Sequence, residues 1–293
     1  MRKTTSKTPV VAVLNMKGGV GKTTVCANLF RMFFEHKRKR ILLIDLDPQF
    51  NLTQGLIPET LYTSFEKKNR TILAAMESPP TKSLYKINAA VVTPPAAETL
   101  GQIMRHFLNE PKVSITLIPG DFRVVKYSLM DEKDAGRLEE TRAAFLRFVA
   151  KARSDYDLIV IDCNPSSSFL TICALHAATH VLAPVRLDRY SILGIKLMQQ
   201  LIDRLPLKKK PRLSILINGI KRTDQNNSIE KALRLDNKFG DKVLFNKIYE
   251  SRVFNYGNEY AGFAIDRKGA RKAQLRIDLT KVSDELAKIV MPK

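Results

Sequence analysis

A run of valine and leucine at 10–15 (VVAVLN) opens directly into Met16-Lys17-Gly18-Gly19-Val20-Gly21-Lys22-Thr23-Thr24. From Lys22 onward, apolar residues return at helical spacing: Val25, Leu29, Met32 and Phe33. A buried strand that passes through a glycine-rich loop straight into a helix leaves few folds open. The glycines at 18, 19 and 21 let backbone N–H groups turn inward toward phosphate oxygens, where side chains would obstruct them. The positive end of the following helix adds favourable charge. Lys22 is placed to reach the β- and γ-phosphates of a bound nucleotide, and the Thr23 hydroxyl to ligate Mg²⁺. The ordinary pattern GxxxxGK[ST] asks for glycine at position 16, where this chain has Met16.

The remainder of the chain repeats the theme. Apolar runs at Ile41–Asp45 (ILLID), 157–162 (DLIVID), 115–118, 180–184, 213–218 and 243–248 read as buried strands. Helical patterns at 137–152, 191–205, 227–239 and 275–290 lie between most of them. Such alternation implies a doubly wound α/β fold, a mostly parallel sheet with helices on both faces, as in P-loop NTPases. We expect a flexible basic tail at 1–8 and one P-loop domain at 9–293. The segment 57–112 fits least well. It is rich in proline (Pro79, Pro80, Pro94, Pro95, Pro111), shows no clear strand, and reads as a partly helical surface insertion.

The 293 residues carry a net charge of +20, unevenly spread. Residues 1–40 hold +9, residues 41–203 are neutral, and residues 204–293 hold +11. A neutral middle between basic ends suggests a polyanion met by a defined surface; solubility charge is the plainer alternative. No apolar run reaches the ~18 residues that span a bilayer, and no signal-peptide pattern is evident. Cys26, Cys163 and Cys173 sit in apolar surroundings without a CxxC pair, which argues for a reduced, cytoplasmic protein and against a disulfide framework or zinc site.

Lys17, just before the glycines, is poorly placed for its own nucleotide's inner phosphates. Here the sequence resembles the ParA/MinD family of deviant Walker A ATPases, whose loop reads KGGxGK[ST]. The resemblance implies that Lys17 reaches across a nucleotide-sandwich homodimer to the partner's ATP, so that hydrolysis depends on dimerisation. ILLIDLDPQFN (41–51) is similar to the family's LLxDxDPQxN. By resemblance Asp47 positions the attacking water and Asp45 lies nearer the Mg²⁺ shell; alone, a DxD at a strand end is more often a turn or a cap. YDLIVIDCNPS (156–166) looks like the family's Walker B strand, with Asp162 holding Mg²⁺ through water and Asn164 in place of a proline. APVRL (183–187) and Asn218 match adenine-side strands, which implies that Pro184, Arg186 and Asn218 flank the base. The glycine loop itself, with Val20 and Thr24, would enclose the phosphates.

The family divides by partner. The last helix carries Asp284 and Glu285 and lacks a basic face opposite large apolar anchors, so we expect no membrane binding. The cysteine spacing does not suit a bridging iron–sulfur cluster, and little chain precedes the first strand for a separate DNA-reading domain. The resemblance then points to non-specific DNA and a ParB-like centromere-binding protein as partners, with nucleoid association. Arg222 (GIKRTD) matches a family arginine that contacts DNA, and Arg252 (YESRVF) falls near a second. Lys208, Lys209 and Lys210, and Arg267, Lys268, Arg271 and Lys272, are further basic candidates, whereas HKRKR at 36–40 reads as a solvated loop. Phosphate contacts of this kind position a protein without reading sequence, and they weaken steeply with salt. A related ATPase that positions a protein complex, a nucleotide-gated scaffold without turnover and a membrane-bound division-site regulator remain as alternatives.

Overall fold

The computed structural model describes residues 8–292 apart from 167, 225–226, 255–260 and 268–271. In chain order the elements are β1 (Val10–Val13), α1 (Lys22–Lys37), β2 (Ile41–Asp45), α2 (Asn51–Leu56), α3 (Glu59–Lys67), α4 (Ala97–Leu100), β3 (Gln102–Phe107), β4 (Glu110–Ile118), α5 (Ala135–Ala152), β5 (Leu158–Asp162), α6 (Phe169–Ala177), β6 (His180–Val185), α7 (Arg189–Arg204), β7 (Arg212–Ile220), α8 (Ser228–Leu235), β8 (Ile248–Tyr249) and α9 (Lys272–Val290). Among the described residues the strands form one sheet in the order β3-β4-β2-β5-β1-β6-β7-β8. All neighbours run parallel except β3, which pairs antiparallel with β4.

Strands β1, β2 and β5 are buried along their whole length because helices cover both faces. Alternate residues feed two separate cores. Val11 and Val13 of β1 join Leu29, Phe30 and Phe33 of α1 and Leu279, Val282 and Leu286 of α9. Val10 and Ala12 face the other way, toward Phe145 and Phe148 of α5, Cys173 of α6 and Met198 of α7. The doubly wound α/β architecture expected from the alternation is the one observed. The three cysteines are buried and free.

The expectation for 57–112 needs correction. That segment holds β3 and the start of β4, joined by a tight turn at 108–109. It also carries Ile72, Leu73, Ala75 and Met76, all fully buried against the sheet. β3 is an edge strand whose side chains are half or fully exposed, so Arg105 and His106 interrupt any apolar alternation. Of the run at 243–248 only Ile248 enters a strand, with Tyr249 after it, and the helix expected over 227–239 stops at Leu235.

Candidate nucleotide site

β1 lies between β5 and β6, so the loop after it emerges at the carboxyl ends of the parallel strands, where β2 and β5 also deliver their terminal aspartates. Gly19 (φ 72°) and Gly21 (φ 87°) adopt left-handed backbone that opens the loop. A Cβ on Gly21 would collide with the side-chain amide of Asn218. That amide donates to the Val20 carbonyl at 2.8 Å and props the loop from below. Above Gly18 and Gly19 the space is open for 4 Å, as a phosphate cradle requires.

Lys22 heads α1 beneath the loop, its ammonium donating to the Lys17 carbonyl at 3.1 Å. Burial lowers its pKa, and the carboxylates of Asp162 and Asp47 oppose that shift. Asp162, at the end of β5, is in register with Asp45 of β2, and both are fully buried. Burial, and next the neighbouring Asp45, push the Asp162 carboxyl well up. The Thr23 hydroxyl faces Asp162 and favours its charge, yet neither carboxylate oxygen has a hydrogen-bond partner among the described residues. An orphaned carboxylate beside a threonine hydroxyl is a donor set that fits a hard divalent cation such as Mg²⁺.

Asp45 is differently occupied. It accepts from the Thr53 amide (2.8 Å) and hydroxyl (2.7 Å), and from the Asp47 amide at 3.3 Å. Burial pushes its carboxyl up to about 7 despite the Thr53 hydrogen bonds. Asp47 lies two residues on, 7% exposed, with one carboxylate oxygen accepting from the Gln49 amide at 2.9 Å. Burial raises its pKa, and the Gln49 hydrogen bond and Lys22 restrain the rise.

Two groups at this site escaped the sequence reading. Asn15 is fully buried, donates to the Pro184 carbonyl (2.8 Å) and accepts the Lys17 amide (3.0 Å), so it ties the loop to β6. Asp188, before α7, takes the Lys17 ammonium at 2.6 Å, and Tyr190 places its ring 5.8 Å from the same charge. Asn15 had a signal, a polar residue ending an apolar strand just before the glycines. Asp188 had none, because its partner is 171 positions away. Of the expected adenine-side residues, Pro184 and Asn218 are buried next to the loop, and exposed Arg186 stacks beside Gly219.

The basic candidates divide between the two ends of the sheet. β7 runs parallel to its neighbours, so Lys208, Lys209 and Lys210, which precede it, lie at the end remote from the phosphate loop. Arg222 follows β7 at the loop end, but its guanidinium pairs with the buried Asp278 carboxylate and stacks 4.1 Å over Tyr249. Arg252 is exposed beyond β8. Arg267 lines a groove of about 1110 Å³ that also borders Thr23, Thr24, Phe50 and Phe254. Lys272 begins α9, and Lys268 and Arg271 fall outside the described residues. Within 36–40, Lys37, Arg38 and Arg40 each pair with an acid, Asp284, Glu110 and Glu98 respectively.

Residues 8–215 match the family described as "AAA domain" (AAA_31). The chromosome partitioning protein ParA of Caulobacter vibrioides is 31% identical over 239 residues, covering 80% of this chain and 78% of that protein. This chain belongs to the ParA-type partition ATPase family. Its fold is shared with a plasmid partition protein of Borrelia burgdorferi bound to AMPPNP (TM-score 0.66, 17% identity, 97% of this chain and 100% of that one). It is shared too with pNOB8 ParA bound to nonspecific DNA (TM-score 0.64, 19% identity, 96% and 97%). The first curated relatives are longer, and the match spans 65% of their length. In this ParA-type chain the glycine loop, the DxD loop and Asp162 lie at one end of the sheet. No helix among the described residues is long and apolar enough to cross a membrane.

Proposed function

We propose that this chain is a Mg²⁺-dependent ATPase that pairs on binding ATP, holds DNA without sequence preference while paired, and so segregates plasmid or chromosomal DNA in the cytoplasm. One observation carries the reading: Lys17 stands immediately before the glycines with its ammonium held by Asp188, while Lys22 donates to the Lys17 carbonyl of the loop. A lysine so placed suits a second protomer's nucleotide better than its own. The backbone amides of 18–21 and Lys22 bind the β- and γ-phosphates. Thr24 holds the loop side of the nucleotide, and Pro184, Arg186 and Asn218 flank the base. Thr23 and Asp162 are the residues that would hold Mg²⁺, which neutralises charge on the phosphates when bound. Asp47 orients the attacking water with its remaining carboxylate oxygen, and Lys17 of each protomer completes the other's site.

The +11 of the carboxyl-terminal third, with the DNA-bound state of pNOB8 ParA, supports DNA as the polyanion. A ParB-like protein is the partner we expect to stimulate hydrolysis. The packing of α9 supports the absence of membrane binding: Leu275, Leu279, Val282, Leu286 and Val290 face the core, and Asp284 and Glu285 bond to the protein. The test is DNA binding across a salt series with and without ATP, alongside phosphate release. Lys22→Ala should lose ATP binding and with it DNA binding. Asp47→Ala should retain both and stop releasing phosphate. DNA affinity indifferent to ATP would sink the switch, and normal turnover by Asp47→Ala would remove its assigned role.

A further inference from the structure

Asp45 closes a loop. Its Oδ1 receives the Asp47 amide and its Oδ2 receives both the amide and the hydroxyl of Thr53, so one carboxylate grips the chain on either side of Asp47. The grip replaces a missing cap. α2 begins after Phe50, which offers no side-chain acceptor and sits in left-handed backbone (φ 39°, ψ 40°), a costly conformation for phenylalanine. Asp45 reaches over from β2 to satisfy the first-turn amide of Thr53 instead.

The Thr53 hydroxyl has a second partner. While it donates to Asp45, it accepts the Gly120 amide at 2.8 Å, and Thr53 is fully buried. Gly120 can come that close only for want of a side chain. A Cβ there would lie 2.6 Å from the Phe50 Cβ and 3.0 Å from the Asp45 Cγ. The next residue, Asp121, accepts from the Thr71 hydroxyl at 2.6 Å. One hydroxyl thus joins the exit of β2, the start of α2 and the exit of β4, with its proton direction fixed by a donor on one side and an acceptor on the other.

We propose that Thr53 is a positioning residue for hydrolysis: its hydroxyl, acting through Asp45, holds the Asp47 loop in the geometry that aims the attacking water. The proposal rests on the ATPase reading above. Thr53 lies outside the phosphate cradle, so its loss should act on the chemical step more than on nucleotide binding. The experiment compares wild type, Thr53→Val, which keeps the branched shape without the hydroxyl, and Thr53→Ser, which keeps the hydroxyl. ATP affinity and phosphate release are measured on each, with thermal melts to establish folding. Thr53→Val should bind ATP within about threefold of wild type and lose about tenfold or more in kcat, the scale of a misplaced catalytic group. Thr53→Ser should recover most of that loss. If Thr53→Val does not fold, Thr53→Ala, which adds no volume, takes its place in the comparison. An unchanged kcat in the variant lacking the hydroxyl, an equal fall in ATP affinity, or a serine variant as slow as the valine one would each overturn the assignment. Wild type that binds Mg-ATP and releases no phosphate would instead overturn the ATPase reading, and this proposal with it.

Discussion

Three aspartates and one lysine share the end of β2 and β5, and their charges do not balance. Burial opposes ionisation of Asp45, Asp47 and Asp162, while the Lys22 ammonium offers one compensating charge. For Asp45 the carboxyl rises from an ordinary 3.8 to about 7, so the folded chain holds this proton more tightly than the unfolded chain does. Between those values folding takes up a proton, and stability falls as pH rises. We expect the Tm without Mg-ATP to be higher at pH 5.5 than at pH 8.0. Adding Mg-ATP should raise the Tm at pH 8.0, where the three aspartates are closest to ionised. A Tm flat or rising over this interval would show that Asp45 is already ionised in the fold. At this scale the glycine loop, Lys22 and Asp162 were legible because each stands at a fixed offset from a strand end. Thr53 and Asp188 were not, because what they do depends on side chains far along the chain.

α7 begins beside the phosphate loop, and its approach carries the partners of Lys17: Asp188 at 2.6 Å and the ring of Tyr190. In the pairing proposed above, Lys17 has to leave that contact first. Both side chains are about one-third exposed (30% and 38%), so the ion pair is worth about 0.2–1 kcal/mol. Asp188→Asn should therefore lower the ATP concentration needed for pairing by about 1.4- to 5-fold, read by light scattering during size exclusion. An unchanged or raised requirement would mean that Asp188 does not restrain Lys17. Among the elements, the fully buried β1, β2 and β5 could be read from their apolar runs alone. β3 could not, since an edge strand is selected for pairing to β4 and for solvent contact on the other side, and it leaves no apolar signature.

Across the whole molecule the basic charge of the carboxyl-terminal third is divided in space. The carboxyl-terminal excess splits between the remote end of the sheet, with Lys208, Lys209 and Lys210, and the loop end, with Arg252 and Arg267. Only the loop end adjoins the candidate nucleotide site. We expect Arg252→Ala to reduce the ATP-dependent part of DNA affinity and to make the salt slope shallower by about one unit per lost phosphate contact. Alanine at Lys208, Lys209 and Lys210 together should weaken binding equally with and without ATP. Filter binding or fluorescence anisotropy over a salt series separates the two. If the lysine variant loses only the ATP-dependent part, the nucleotide-gated surface lies at the other end.

The position of β1 in the sheet bears on how the chain is made. β1 is synthesised early, yet its two neighbours come late: Val10 faces Ile159 on one side, and Val11 faces His180 on the other. While the polypeptide is being translated, the strand bearing the phosphate loop has both edges bare until β6 has left the ribosome. A nascent chain therefore carries every residue of the loop long before it can shape them into a cradle. ATP can find its site only once β5 and β6 have joined β1, so nucleotide binding reports on assembly of the centre of the sheet.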